Sequence, residues 1–227
     1  MVTTNVIQRT FHISILNSTA TCFTIEVDDR QYIITSKHVA SLINTSSSLK
    51  IYHEKKWKDI DITLVGHCEG EVDISVLKTN IQLSPTYEFE PTSNGLIYGQ
   101  DVFFLGFPYG MFSELGEMNR NFPLPFVKKA IVSSIVLTDN KESITYLDGH
   151  NNPGFSGGPV VFKKPNENNF KVASVISGFR YTNEPVYNGS QPLPFAYKYN
   201  TGIIISYDIK HAVDLINKNP IGLLIKA

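Results

Sequence analysis

Residues 151–160 read Asn151-Asn152-Pro153-Gly154-Phe155-Ser156-Gly157-Gly158-Pro159-Val160. Three glycines and two prolines surround a single serine, so the backbone can adopt conformations that side chains would normally block. A serine held in such a turn can expose its hydroxyl next to backbone N–H groups that face a developing negative charge. The stretch therefore predicts a nucleophile site at Ser156, with the N–H groups of Gly154 and Ser156 as an oxyanion hole.

Two segments upstream of this stretch supply a histidine and a carboxylate: Thr35-Ser36-Lys37-His38-Val39-Ala40 and Glu71-Val72-Asp73-Ile74-Ser75-Val76-Leu77. A serine hydroxyl is a poor nucleophile at neutral pH, because it needs a base to take its proton and a third group to orient that base. His38 and Asp73 can fill these two roles. The sequence therefore predicts a catalytic triad in the order His38, Asp73, Ser156.

The motif G-x-S-x-G also occurs in the nucleophile elbow of α/β-hydrolases, which is a rival interpretation. In those enzymes the acid and then the histidine follow the serine, whereas here His211 is the only histidine after Ser156. Gly157-Gly158-Pro159 is also a poor start for the helix that such an elbow requires. The order of the residues therefore favours the first interpretation.

Short runs of alternating apolar and polar residues dominate the chain, as in Phe11, Ile13 and Ile15. Such runs, separated by turn residues, predict half-buried strands of a barrel or sandwich. The pattern breaks between Ser84 and Gly95, where we place the connection between two β units, residues 1–90 and 91–227. Residues 108–125 and 180–197 are rich in Gly, Pro and Asn and predict long loops.

Near the end of the chain, apolar residues recur at a helical spacing. Asp208 offers an N-cap, and the apolar positions that follow are Ile209, Ala212, Val213 and Ile216. We predict an all-β fold that ends in an α-helix over about residues 208–218.

Composition excludes several classes of function. The 227 residues include 42% hydrophobic and 18% charged residues, with a net charge of −1, so no basic face for nucleic acid is expected. No apolar run is long enough to cross a membrane. Residues 1–10 are polar and lack the apolar core of a secretory signal, which favours a cytoplasmic protein, although a chain whose signal had been removed would look the same.

Cofactor and metal chemistry leave no pattern in the sequence. No phosphate loop or dinucleotide fingerprint is present, so we expect no cofactor. His67-Cys68 could form half of a metal site, but no matching pair accompanies it. Cys22 and Cys68 could pair or stay free, and we expect free thiols.

These segments resemble the trypsin-like serine proteases, and resemble the bacterial HtrA type more than the digestive enzymes. The strongest piece is Asn152-Pro153-Gly154-Phe155-Ser156-Gly157-Gly158-Pro159, which usually reads N-P-G-N-S-G-G-P in that family. The supporting pieces are Ile33-Ile34-Thr35-Ser36-Lys37-His38-Val39, Asp73-Ile74-Ser75-Val76-Leu77, Gly99-Gln100-Asp101-Val102 and Gly202-Ile203-Ile204. The resemblance implies two six-stranded antiparallel chymotrypsin-like barrels with the triad in the cleft between them, and a polypeptide substrate.

The resemblance also locates a substrate pocket. The position six residues before the nucleophile, His150, would form its floor, and the strand Ala173–Phe179 its wall, with Ser177, Gly178 and Phe179 nearest the cleft. The floor is not acidic and Phe179 would narrow the pocket, so we expect a small or medium apolar residue before the cut.

The chain departs from the digestive members just before the nucleophile. Phe155 stands where they carry an aspartate that captures a newly cut N-terminus, so activation of that kind is not expected. Any gating would fall to the loop 108–125 or to an activating partner protein. Since fold alone does not prove activity, the alternative hypothesis is a catalytically silent trypsin-like module that binds proteins.

Overall fold

The strands of the chain form two sheets, and each sheet closes on itself. A computed structural model describes residues 2–15 and 18–225. Its strands are β1 (Thr10–Ile15), β2 (Ser18–Val27), β3 (Arg30–Thr35), β4 (Ser46–His53), β5 (Lys56–His67), β6 (Ser75–Thr79), β7 (Asp101–Gly106), β8 (Phe126–Leu137), β9 (Ser143–Asp148), β10 (Pro159–Phe162), β11 (Lys171–Asn188), β12 (Gln191–Asp208) and β13 (Leu223–Leu224).

The first barrel is a ring in the order β3-β2-β1-β4-β5-β6, closed by pairing of β3 with β6. The short β13 adds to β3 through the pair Leu223↔Gln31. The second barrel closes in the order β10-β11-β12-β9-β8-β7. Every strand pair between the named strands is antiparallel in the described residues. The prediction of two six-stranded chymotrypsin-like barrels is therefore confirmed, whereas the division at residue 90 stays a prediction.

The helices are short: α1 (Thr4–Ile7), α2 (Lys37–Ala40) and α3 (Lys210–Lys218). The predicted C-terminal helix is α3, which begins two residues after Asp208. The Asp208 carboxylate accepts the Lys210 N–H at 2.8 Å and so caps the helix start. None of the helices in the described residues is long and apolar enough to cross a membrane.

Three buried apolar clusters organise the interior. One fills the first barrel and includes Phe11 and Leu49, and one fills the second and includes Phe104 and Phe155. The third joins residues of both sheets to α3, from Ile34 across to Val175 and Ile216. Because burial of apolar surface is the main stabilising contribution, this third cluster fixes the two barrels against each other and so fixes the cleft between them.

The prediction of a long loop over residues 180–197 is wrong. β11 and β12 continue as a paired hairpin from Tyr181↔Asn200 to Asn188↔Gln191. Alternating Tyr, Thr, Val and Phe side chains favour strands. Prolines such as Pro185 are tolerated because each strand of a two-stranded ribbon has an unpaired edge.

Cys22 and Cys68 are free, buried thiols, as expected from the sequence. They lie in different apolar clusters, Cys22 inside the first barrel and Cys68 in the cluster between the barrels. Burial raises the pKa of the Cys68 thiol to about 12, so this thiol stays protonated at neutral pH.

Candidate active site

His38 lies on α2, immediately after β3 has ended at Thr35. Its ring Nδ1 is 2.7 Å from Asp73 Oδ2, and its backbone N–H donates to Asp73 Oδ1 at 2.8 Å. The side chain is 52% exposed. One carboxylate therefore holds both the backbone and the ring of His38, while the far side of the ring stays open to the cleft.

Asp73 lies in the connection between β5 and β6, which is held in place by neighbouring groups. Lys37 Nζ donates to the carbonyls of Cys68 at 3.0 Å and of Gly70 at 2.7 Å. The Ser177 hydroxyl donates to Asp73 Oδ2 at 2.6 Å. The connection thus reaches the second barrel through Ser177.

The pKa of Asp73 results from opposing effects. Burial alone would raise it, but hydrogen bonds from His38 and Ser177 favour the ionised form, and the pKa lies below its ordinary value. The carboxylate is therefore charged at neutral pH and can stabilise a positive charge on the imidazole of His38.

The segment around Ser156 is held by close backbone contacts that exclude side chains. Gly154 has a φ of +104°, and a Cβ there would lie 2.2 Å from the Phe107 carbonyl oxygen. At Gly157 a Cβ would lie 2.3 Å from the Thr21 carbonyl oxygen. Such distances are far below van der Waals contact, so the turn requires glycine at both positions.

Thr21 of the first barrel joins this segment to the loop that follows β7. Its hydroxyl donates to the Gly154 carbonyl at 2.7 Å and accepts the Phe107 N–H at 3.2 Å. Its backbone N–H donates to the Ser156 carbonyl at 3.0 Å. The first barrel therefore positions the serine segment through one buried threonine.

The peptide between Pro153 and Gly154 has a defined orientation. The Pro153 carbonyl accepts the Tyr109 N–H at 2.9 Å, and in a trans peptide the N–H points away from the carbonyl. Neither the Gly154 N–H nor the Ser156 N–H has an acceptor within the described residues. Both N–H groups are therefore unpaired, and Gly154 and Ser156 line the same cavity.

Ser156 and His38 line a common cavity of about 260 Å³ with Gly154 and first-barrel residues such as Leu42. The Ser156 hydroxyl donates to the Ser177 carbonyl at 3.2 Å, so it is not engaged with the imidazole in this conformation. The structure therefore brings His38, Asp73, Gly154 and Ser156 to one cleft, and Ser177 contacts both Asp73 and Ser156.

The predicted pocket residues differ in their surroundings. His150 is exposed, and its carbonyl accepts a hydrogen bond from Lys128. The buried Asn151 instead reaches the opposite wall, where its amide donates to the Gly178 carbonyl at 3.1 Å. Phe179 is half-buried on β11. The assignment of these residues to a substrate pocket stays a prediction.

Three contributions were missed by sequence reasoning: the bridge at Thr21, the wall contact of Asn151, and the hydrogen bond from Ser177 to Asp73. Ser177 was assigned to the pocket, yet its hydroxyl orients the carboxylate. Of these three contributions, only that of Asn151 had a local signal in the sequence, namely a polar residue close to the Pro153-Gly154 turn. Nothing near Thr21 in the sequence points to a partner 133 residues away.

Comparisons with known proteins agree with this architecture. Residues 20–165 match the trypsin-like peptidase domain, and the chain therefore belongs to the trypsin-like peptidase family. A search of curated proteins finds no match.

Solved structures with the same fold include proteases of the HtrA type. A serine-to-alanine variant of the HtrA-type protease AlgW, with a tripeptide, has a TM-score of 0.61 at 17% identity. The alignment covers 96% of this chain and 63% of the AlgW chain. The inactive form of Rv3671c from M. tuberculosis, a serine-to-alanine mutant, has a TM-score of 0.60 at 16% identity, with 95% of this chain and 88% of that chain covered. At identities of 16–17% the likeness shows the fold alone, which is that of serine proteases. The chain spans less than two thirds of the length of the AlgW structure.

Proposed function

We propose that the protein is a serine endopeptidase that cleaves peptide bonds through an acyl-enzyme. Ser156 is the nucleophile, His38 the general base and acid, and Asp73 the orienting carboxylate. The observation that carries the proposal is the hydrogen bond of 2.7 Å between His38 Nδ1 and Asp73 Oδ2. It keeps the ring proton on Nδ1 and leaves Nε2 as a proton acceptor that faces the cleft.

In the first step the Ser156 oxygen attacks the peptide carbonyl carbon, and His38 Nε2 takes the hydroxyl proton. Before this step the Ser156 hydroxyl must give up its hydrogen bond to the Ser177 carbonyl. Rotation about one side-chain bond then turns the hydroxyl toward His38. The C–N bond then breaks, and the imidazolium gives its proton to the leaving amine. The acyl group stays on Ser156 as an ester.

In the second step water attacks the ester carbonyl while His38 takes a proton from that water. The C–O bond to Ser156 breaks, and the proton returns to the serine oxygen. Both steps place negative charge on the carbonyl oxygen, which the N–H groups of Gly154 and Ser156 can bind. One such donor commonly contributes about 3 kcal/mol to stabilisation of the transition state.

Control of this site would act on the peptide that presents Gly154. The Tyr109 N–H holds the Pro153 carbonyl, and Tyr109 belongs to the loop 108–125. A movement of this loop, or a partner protein that binds it, would release the carbonyl and let the peptide turn. The hole would then be lost while the triad stayed in place.

The second candidate function is a silent binding module on the same fold. The observation in its favour is that the Ser156 hydroxyl donates to the Ser177 carbonyl rather than to His38. An alternative partner for the serine would leave the nucleophile unactivated.

Labelling with a fluorophosphonate probe separates the two candidates. We expect wild type to be labelled, and Ser156→Ala and His38→Ala to lose labelling, since loss of such residues costs up to about a millionfold in rate. Ser47→Ala, an exposed serine of β4, is the matched control and should label as wild type. Absence of labelling in wild type, even after addition of a cell extract, would contradict the serine endopeptidase and favour the silent binding module.

A further inference from the structure

Seven successive carbonyl groups, those of residues 150–156, each accept a hydrogen bond. Their donors, in chain order, are Lys128 Nζ, Asn200 Nδ2, the Phe155 N–H, the Tyr109 N–H, the Thr21 hydroxyl, the Gly158 N–H and the Thr21 N–H. In a trans peptide the N–H points away from the carbonyl, so a bound carbonyl also fixes the N–H that follows it. The bonds of the Pro153 and Phe155 carbonyls therefore set the directions of the Gly154 and Ser156 N–H groups.

Two of these donors are side chains of the second barrel, Asn200 and Lys128. Asn200 lies at the base of the hairpin arm, residues 181–200, and donates to the Asn151 carbonyl at 2.8 Å. Lys128 lies on β8 and is half-buried. Among the donors to residues 150–156 in the part of the chain that the structure describes, Lys128 alone carries a formal charge. Because a hydrogen bond from an ionised donor is about twice as strong as one between neutral groups, Lys128 provides the firmest hold on the start of the segment.

Lys128 binds the segment at two points. Its ammonium donates to the His150 carbonyl and to Asn152 Oδ1 at 3.0 Å. The amide of Asn152 in turn donates to the Tyr109 hydroxyl at 3.4 Å, and the Tyr109 N–H binds the Pro153 carbonyl. Lys128 thus holds the start of the segment directly and reaches, through one asparagine, the loop residue that orients the next peptide.

The surroundings of the ammonium strengthen these bonds. Its Nζ lies 5.7 Å from the ring centre of Phe155 and 6.0 Å from that of Phe104. Burial lowers the pKa of Lys128, because water is partly excluded from the ammonium there, and a hydrogen bond is stronger where water is excluded. The neighbouring Lys129 instead forms an exposed ion pair with Asp101 at 2.8 Å, a kind of contact that contributes little to stability.

We propose that Lys128 is a positioning residue that keeps the oxyanion hole formed. By holding residues 150–152, its ammonium keeps the peptide between Pro153 and Gly154 turned so that the Gly154 N–H stays free for the carbonyl oxygen of the substrate. Lys128 does not line the cavity at the nucleophile, so it acts through the backbone of the segment. The inference rests on the proposed function and adds to it a residue of β8 that makes no contact with the reacting atoms.

Lys128→Met separates the ammonium from its apolar stem. Methionine keeps an unbranched stem beside Phe155 but has no donor, so we expect Tm to fall by no more than about 2–4 °C. We expect kcat on a fluorogenic peptide to fall about 10- to 100-fold with little change in KM, since small displacements of catalytic groups can cost about 100-fold. Lys129→Met is the matched control on the same strand and should keep wild-type kinetics. Equal kcat values for the two variants would overturn the proposal.

Chemical rescue tests whether a charged donor is what the segment requires. Lys128→Cys treated with bromoethylamine carries an ammonium at nearly the length of lysine, whereas treatment with methyl methanethiosulfonate leaves an uncharged side chain without a donor. Cys22 and Cys68 are buried, so the native protein reacts at the new thiol. We expect the first product to recover most of the lost kcat and the second to recover none. Equal recovery in both products would contradict the role of the ammonium.

A peptide aldehyde probes the oxyanion hole itself. A cleavage site is mapped by mass spectrometry in a reduced, carboxymethylated protein, and the peptide that ends at the cut is made as an aldehyde and as an amide. The Ser156 oxygen bonds to the aldehyde carbon and its proton passes to His38, which places an oxyanion in the hole, whereas the amide binds without a new bond. In Lys128→Met we expect the inhibition constant of the aldehyde to rise by the same factor as kcat falls, and that of the amide to stay unchanged. Equal weakening of both would assign Lys128 to substrate binding, against the proposal.

Hydrogen exchange separates this inference from the proposed function, because it requires no cleavage. Mass spectrometry follows the amides of residues 149–158 in wild type, Lys128→Met and Lys129→Met, and we expect faster exchange in Lys128→Met alone. If wild type cleaves peptides but exchange and kcat are the same in both variants, the inference fails and the proposed function stands. If wild type neither cleaves nor is labelled while exchange is faster in Lys128→Met alone, the proposed function fails and Lys128 still positions the segment.

Discussion

The two halves of the candidate site are held by different means. In the first-barrel half, hydrogen bonds to one carboxylate position His38. In the second-barrel half, Ser156 follows Gly154, whose backbone packs so closely against Phe107 that no side chain fits. The first half depends on hydrogen bonds to a single carboxylate, whereas the second depends on a closely packed backbone turn that Thr21 holds from the first barrel.

Among variants that keep both Ser156 and His38, the largest expected effect comes from Asp73 in the first half. In Asp73→Asn the amide can donate to His38 Nδ1 and so favours the tautomer that carries its proton on Nε2. We expect kcat to fall about 10,000-fold with little change in Tm, since the side chain keeps its shape. Kinetics on a fluorogenic peptide and thermal unfolding test this. A loss below tenfold would show that His38 is oriented by other groups.

Gly154→Ala changes the turn that precedes Ser156 in the second half. We expect kcat to fall about 100- to 1,000-fold, as it does when one oxyanion-hole donor is removed. A Cβ at this position would be 2.2 Å from the Phe107 carbonyl oxygen, so the peptide must move. Gly99→Ala is the matched control, because Gly99 also has a positive φ, +75°, but has nothing within 4 Å of its Cβ position. Comparable activity losses in both variants would remove the steric explanation.

Thr21→Val tests the bridge between the halves. Valine keeps the shape but leaves the Phe107 N–H and the Gly154 carbonyl without their partner, which costs about 1–3 kcal/mol of unfolding free energy. We expect kcat to fall about tenfold because the turn loosens. Thr24→Val removes a buried hydroxyl of the same strand that contacts Ser84, and it should affect stability alone. Denaturant unfolding and kcat are measured for both.

The smallest effect on activity at neutral pH is expected for His12→Phe. His12 is stacked on Phe107 at 4.7 Å between ring centres, and both ring nitrogens are buried without a hydrogen-bond partner. The other rings around it, Tyr52, Trp57 and Phe112, carry no formal charge. Burial lowers the pKa of His12 from 6.5 to about 4.

The sign of the pH effect follows from this lowered pKa. Between pH 6.5 and 4 the unfolded chain binds a proton at His12 that the folded protein does not, so stability falls as the pH falls. The loss is on the order of 3 kcal/mol at pH 4. His12→Phe should remove this part of the fall in stability at acid pH, which urea unfolding at pH 7, 5.5 and 4.5 measures. The stability of His150→Gln, a change at the surface, should fall with pH as that of wild type does. If the stability of His12→Phe also falls as steeply as that of wild type, groups other than His12 cause the loss of stability in acid.

What the sequence can predict differs between the two halves and the hairpin arm. The roles of His38, Asp73 and Ser156 and the need for glycine at 154 follow from local chemistry. Alternation predicts the strands, whereas the two closed barrels follow from the resemblance to trypsin-like proteases. The contact of Thr21 with Gly154 spans 133 positions, and only the closed fold brings the two together. The arm was predicted as a loop because Asn, Gly and Pro outnumber branched residues there, whereas pairing between Tyr181 and Asn200 stabilises it as strands.

Phe155 links the candidate site to the time at which the chain completes folding. Its ring is fully buried and packs edge-on against Phe104 at 4.9 Å between centres. The turn that presents the neighbouring serine can therefore become ordered only when the second barrel closes around this ring. A newly synthesised chain would acquire cutting ability late, with its own interior already shielded from attack. Under the proposed function, a partly folded molecule would therefore not yet cut its neighbours.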